Sequence, residues 1–421
     1  MAMVTFATKQ DPWTTDDTMG TASSHLRVAG QKGGLWATIE AILKEKIRPL
    51  FTKQRNPKIT SEGRKNFHPV PLARFDGSVL DDSTRPWKNT AIYTTSVLSW
   101  IISQYTATDK MHLESHFPLL VPAILSLIDD SNISFKAQGC QLLTQLLKSI
   151  RESGSDILIR TNLISVFEEA ITPCLLSLPT ITPEADSLKI LRVAYPVLID
   201  LLEAAYKTPS LRTPQSQIKK DKESFNTSLA KILRSNLISS FNHISSSSSI
   251  SGSNASFPHP LLSTFLMTRI CAVLNKLGIE TTKYLQDIIP VLQMTLSNPF
   301  GTSDPALLSV AVSTTRAVIL NAHPRIWKWR GELLAALCAC WLHVSEESKD
   351  KEKGKALVGV SKQLRITVSL LKCTLQNPAA VSNGALDADQ VYAKEHMDAE
   401  LKELVDADPQ LEQLLGPAVT L

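Results

Sequence analysis

Apolar residues recur along most of this chain at intervals of three and four, the spacing that lines one face of an α-helix. Leu357, Val360, Leu364, Val368, Leu371 and Leu375 form the longest regular stripe. Leu35, Ile39, Ile42, Leu43 and Ile47 form another, which predicts a helix from Leu35 to Arg48 that Pro49 ends. No apolar–polar alternation of useful length competes for a strand. The clearest unit is Leu113–Ile128, then Asp129-Asp130, then a second helix from Asn132 to Ile150. Two helices joined by a short acidic turn, with proline inside the first, have the layout of a HEAT-type hairpin. Asp129 or Asp130 is expected to cap the second helix by accepting its orphan N–H groups. Four further pairs follow, over 156–178 with 184–206, 222–242 with 261–277, 281–296 with 305–321, and 326–343 with 357–375. The expected fold class is all-α, an α-solenoid of irregular HEAT-like hairpins over residues 35–375.

The segments between and around these helices define the rest of the organisation. Residues 1–34 are polar and are expected to be flexible or loosely docked. Residues 52–86 carry four prolines with little periodicity and predict a long irregular loop. Linkers are expected at 207–221, at the serine-rich stretch 245–260, and at the mixed-charge stretch 345–355. Residues 376–421 read as an acidic tail with a helix over about 387–404 and a short final one to Leu415.

Composition narrows the function classes. The chain has 421 residues, with 44 Lys+Arg against 40 Asp+Glu, so its net charge is only +4. That balance argues against nucleic acid or an anionic membrane as partner, since both require clustered positive charge. No run of eighteen apolar residues appears, and the N-terminus lacks the layout of a signal peptide. Six cysteines without a CxxC pair point to a reducing compartment.

No nucleophile elbow, phosphate-binding glycine loop or kinase motif occurs, so the chain is expected to be no enzyme and to need no cofactor or metal. His112 and His116 share a helix face at i, i+4, but Glu114 falls on the opposite side and no third ligand is evident, so a solvated helix start is the preferred reading. Cys338 and Cys340 point apart and read as small buried hydrophobes. Lys219–Lys222 reads as linker solvation.

Two clusters rise above this background. Arg85-Pro86-Trp87-Lys88 precedes a helix and ends the long loop, so its Trp either pins that loop or offers an aromatic anchor to a partner. The stretch Asn321–Glu332 carries Pro324, Arg325, Trp327, Trp329 and Arg330, with Trp341 following. Trp and Arg are enriched at interface hot spots, and a core-packed aromatic helix is the other reading. Arg85, Trp87, Lys88, Arg325, Trp329 and Arg330 are the candidate partner-binding residues.

These two clusters, with Trp100 and the Pro-Leu-Leu…Asp-Asp hairpin between them, resemble fungal members of the Tti2 family (Tel2-interacting protein 2) in order and spacing. The resemblance spans Leu35 to Leu375; where family members often carry Cys-Trp ahead of Pro-Arg-Ile, this chain has Ala322-His323. It implies an α-solenoid scaffold subunit of the TTT complex, with Tel2-type and Tti1-type subunits as direct partners in a hetero-oligomer. Hsp90, the R2TP machinery and clients of the phosphatidylinositol 3-kinase-related kinase class would be indirect partners, and cytoplasm and nucleus the implied locations. A transport or vesicle-coat adaptor is the competing class, and it predicts more regular tandem repeats than this chain has.

Overall fold

A computed structural model describes residues 2–8, 13–52, 56–60, 62–69, 85–206, 215–246, 257–348, 351–376 and 388–416. Among these residues the regular structure is helical, with one isolated antiparallel bridge between Ile59 and Lys65 and no strand. The all-α class follows. The chain divides into two units, Met1–Ser177 with Ile181–Asp221, and Leu178–Thr180 with Lys222–Leu421.

In the first unit, α1 spans Asp16–Gly33, where polarity predicted a loose segment. The reason is local. Thr15 donates its N–H to the Thr18 hydroxyl and its own hydroxyl accepts the Thr18 N–H, a reciprocal cap. The next helix, α2, covers residues 35–51 and runs through Pro49, where the sequence predicted an end. Its turn Ile42–Ile47 is a π-helix, in which the Arg48 N–H reaches the Leu43 carbonyl. A wider turn relieves the clash that proline imposes on the carbonyl four residues back. Arg48–Phe51 therefore stays helical and carries Phe51 into the interior.

Then come α3 (Pro86–Asn89), α4 (Thr94–Ser103), α5 (Lys110–Ile128), α6 (Ile133–Glu152), α7 (Ile164–Ile171) and α8 (Glu184–Ala205). Sequence neighbours pair as the hairpin reading predicted, α5 with α6 and α7 with α8. Alternate helices also stack, α4–α6–α8 in one layer and α2–α5–α7 in the other. The central helix, α6, buries Cys140, Leu142, Leu143, Leu146 and Leu147. It approaches α5 closely because Gly139 has no side chain; a Cβ there would lie 2.8 Å from the Ile128 nitrogen. The N-cap of α6 is Asn132, whose Oδ1 accepts the Ser134 N–H at 2.8 Å. Neither Asp129 nor Asp130 fills that role, which corrects the sequence expectation.

The second unit receives α9, residues 215–246, from Lys222 onward. There follow α10 (Pro260–Leu277), α11 (Leu285–Leu296), α12 (Pro305–Asn321), α13 (Arg330–Glu347), α14 (Lys351–Gln376), α15 (Ala388–Ala407) and α16 (Glu412–Leu415). The same two-layer pattern recurs, with α10–α12–α14 on one side and α9–α11–α13 on the other. All six members of the α14 stripe, Leu357 to Leu375, are buried. The expected linker 345–355 is shorter than predicted, since α13 reaches Glu347 and α14 begins at Lys351. Of the other two linkers, 207–214 and 247–256 lie outside the described residues, and 215–221 is helical.

By length and composition alone, Lys110–Ile128 and the stretch Pro260–Leu296 are apolar enough to cross a membrane. In the structure their apolar faces are packed against protein. Leu113, Phe117, Leu120, Val121, Ile124 and Leu125 of α5 have no exposure, nor have Leu262, Leu266, Met267 and Val273 of α10. The 3-10 turn Gly278–Tyr284 also interrupts the second stretch.

Candidate functional site

The first candidate cluster closes on one carboxylate. Pro86 starts α3 at its first turn, where a missing N–H costs nothing, and that turn swings Trp87 inward to 1 % exposure. Its ring stacks on Phe51 with centroids 4.6 Å apart and planes 14° apart. The indole N–H donates to Oδ2 of Asp130 at 3.2 Å. Asp130 is itself buried, and its Oδ1 accepts the Asn132 N–H at 2.8 Å. Arg85 lies 3.7 Å and Lys88 3.4 Å from that same oxygen, while Arg85 also donates to the Ser131 hydroxyl at 3.2 Å. One buried acid in the α5–α6 turn thus gathers the end of the long loop, α2 through Phe51, and the start of α6. Trp87, which the sequence left as a pin or an anchor, is buried against Phe51 and Asp130. Arg85 and Trp87 brace this turn from buried positions. Sequence reasoning missed Asp130, which it weighed only as a cap.

The neighbouring acid holds an earlier part of the same loop. Asp129 accepts from the Asn56 side chain at 2.7 Å. From there, residues 56–60 and 62–69 reach α7 and the turn before it. Lys58 pairs with Glu169 at 2.6 Å, the Lys65 N–H donates to the Thr161 carbonyl at 3.0 Å, and the Lys65 ammonium donates to Ser165 at 2.8 Å. Gly63, at φ +66, lies against Pro118, where a Cβ would be 2.7 Å from the Pro118 Cα. These residues of the long loop are pinned by the chain itself.

His116 departs from the solvated reading. It is buried, and its Nδ1 lies 2.9 Å from the Tyr105 hydroxyl. Trp36 stacks over His112 at 4.5 Å and over Tyr105 at 5.4 Å. Burial pushes the His116 pKa down, opposed by the Glu40 carboxylate. His112 stays exposed. The pair belongs to an aromatic stack that ties α2 to α5.

The second candidate cluster lies in the other unit, in the 3-10 turn His323–Trp329. Arg325 is exposed, and Trp329 is half-buried at the entry to α13. Arg330 turns to α15, gripping Glu400 through two bonds of 3.1 and 2.7 Å, and it also donates to the Trp327 carbonyl at 3.2 Å. Nearby, the Trp341 indole N–H donates to the Gln410 carbonyl at 3.0 Å. The structure thus unites Arg85, Trp87 and Lys88 around one acid in the first unit, while Arg325, Trp329 and Arg330 belong to the second.

The sequence model of the Tti2 family matches residues 1–303. The chain belongs to the Tti2 family. No solved structure matches it. The Tti2 match contains the whole Asp130 clamp, the 56–69 loop and the Trp36 stack, while the turn His323–Trp329 and the C-terminal helices lie beyond it. Tti2 membership implies a subunit role in the TTT complex, and with it association with Tel2 and Tti1. The family is one of non-catalytic cochaperone-complex subunits.

In this Tti2-family chain two open grooves are lined by mixed polar and apolar side chains. One of about 670 Å³ is bordered by Lys231, Arg234, Tyr284 and Asp287, and one of about 610 Å³ by Arg64, Lys65, Phe67 and Arg160. One charged side chain in each is paired, Arg234 with Asp287 at 2.7 Å and Arg160 with Asp156 at 3.0 Å. Cys338 and Cys340 are buried, and burial pushes their thiol pKa values up to about 11 and about 12. They are packed as the small hydrophobes the sequence suggested. Among the described residues no group of three or more His, Cys, Asp or Glu is placed to hold a metal.

Proposed function

We propose that this chain is a scaffold subunit of TTT that acts with Hsp90 and R2TP in the maturation and stability of phosphatidylinositol 3-kinase-related kinases, of the TOR, ATM/ATR and TRRAP types. It works by binding, in the cytoplasm and the nucleus, and the Tel2-type and Tti1-type subunits are its direct partners. The observation that carries this reading is the Tti2 match over residues 1–303, which spans the first unit and continues to α11. The two-layer stacking of helical hairpins supports it physically. Such layers bury their stripes against one another and leave helix edges and inter-helix turns as an extended surface, the kind of surface that repeat proteins use to bind other proteins. A solenoid course for the whole chain belongs to this proposal.

The test is depletion in cells. Loss of the chain is expected to lower the steady-state protein levels of the kinases while their transcripts stay constant, and re-expression is expected to restore them. Unchanged kinase levels after full depletion would overturn the cochaperone role.

A further inference from the structure

Residues 388–416 of the acidic tail are seated on the second unit, and none of the roles above accounts for it. Its helix α15, the turn Pro409–Leu411 and α16 lie against α13 and α14. Met397, Leu401, Leu411, Leu414 and Leu415 are buried there. Donors from the receiving helices surround them. Arg330 holds the Glu400 carboxylate in a two-pronged grip. Trp341 gives its N–H to the Gln410 carbonyl. The Lys372 ammonium donates to the carbonyls of Leu415 and Gly416, where the negative end of the short helix α16 faces it. Arg365 lies over the Trp341 ring at 5.0 Å and reaches Gln413 at 3.4 Å. The receiving face is cationic and aromatic, and the segment on it carries carboxylates at Asp398 and Glu400.

We propose that the α13–α14 face is a docking groove for an amphipathic helix of a partner protein bearing a carboxylate at the Glu400 position, and that residues 388–416 occupy it in the isolated chain as a displaceable stand-in. Charge complementarity sets the chemistry of the occupant, because Arg330 grips a carboxylate and the neighbouring charges of Arg365 and Lys372 disfavour a basic helix. The apolar pair Met397 and Leu401 at i, i+4, with Glu400 beside them, is the pattern by which a helix lies in a groove. Displacement is favoured by the exposure of the grip, where Arg330 and Glu400 side chains are 22 % and 36 % exposed, so that a competing carboxylate can reach Arg330. The apolar hold is confined to α13 and α14. This inference goes beyond TTT membership and holds whichever protein supplies the helix.

The test uses the full chain and a fluorescent peptide of residues 388–416, with binding read by anisotropy. Met397→Ala, Leu401→Ala and Glu400→Ala together weaken the resident segment and leave the groove intact. The fraction of open groove then rises, and the apparent affinity for the peptide is expected to tighten by about tenfold or more over the wild type. Adding Arg330→Glu should abolish the gain, and a peptide carrying Glu400→Arg should restore it. Circular dichroism confirms the fold of each variant. If the triple variant does not fold, Glu400→Ala alone carries the same comparison, and failure of that variant to fold shows an integral core and overturns the proposal. Equal binding by wild type and variant, or no binding by a folded variant, overturns it as well. Concentration-dependent dimerisation of the variant in light scattering assigns the groove to a second copy and rejects the partner helix.

Discussion

Asp130→Ala removes a carboxylate that the Trp87 indole, the Asn132 amide, Arg85 and Lys88 all face. The Arg85 and Lys88 side chains are 7 % and 16 % exposed, so water cannot replace the lost charge without opening the turn. Removing one partner of a buried ion pair costs about 3–5 kcal/mol, because the remaining charge stays desolvated. Asp130→Asn keeps the shape and one acceptor oxygen, so its cost is expected to be smaller, about 1–3 kcal/mol. Trp87→Phe keeps the stack on Phe51 and loses only the N–H, and falls at the low end of that range.

Urea titration of the three variants against wild type reads the ranking, with the slope of the transition checked for loss of cooperativity between the two units. Hydrogen exchange over Thr94–Ser103 and Ile133–Glu152 locates the damage, since these helices flank the clamp. An Asp130→Ala variant within about 0.5 kcal/mol of wild type, the ordinary range for an exposed surface change, would refute the reasoning. So would exchange that quickens elsewhere and leaves these helices unchanged.

Other outcomes follow from the same contacts. Because burial lowers the folded pKa of His116, the stability it contributes is fully present above the unfolded value of about 6.5 and declines as the pH falls below it, levelling off under the folded value. Wild type should therefore lose stability relative to His116→Gln between pH 7.5 and 5.5 in denaturant titrations, and parallel curves would contradict this. Gly139→Ala places a Cβ against the Ile128 backbone, and despite alanine's better helix propensity it should destabilise by about 1–3 kcal/mol and lower the melting temperature. An unchanged melting temperature would show that α5 and α6 can separate freely there. Lys58→Ala removes a pair whose side chains are 45 % and 54 % exposed, so it should change stability by less than about 1 kcal/mol and less still in high salt.

The helices were legible because their apolar stripes follow the three-four period, and the pairing of neighbours followed from their short connections. What escaped depends on contacts between distant residues or on local backbone choices that pattern alone does not weigh. The cap on α6 is Asn132 because Asp130 is engaged by Trp87, 43 positions away in the chain. Pro49 stays helical because the preceding turn widens, a change no hydrophobic spacing announces. The burial of His116 did have a signal, since Leu113, Phe117 and Leu120 flank it on the same apolar face. Trp87 and Arg330 were legible as unusual residues, but their direction was not, because Asp130 and Glu400 are ordinary acids until the fold brings them close. A capping box of two threonines was also enough to start a helix in a segment whose polarity suggested none.

Affinity purification of the tagged full-length chain from its own cells, with quantitative mass spectrometry, reaches the central claim most directly. The account predicts Tel2-type and Tti1-type proteins at near-equal abundance to the bait. Recovery of the chain without either subunit, or with transport cargo or coat components at that abundance instead, would contradict it.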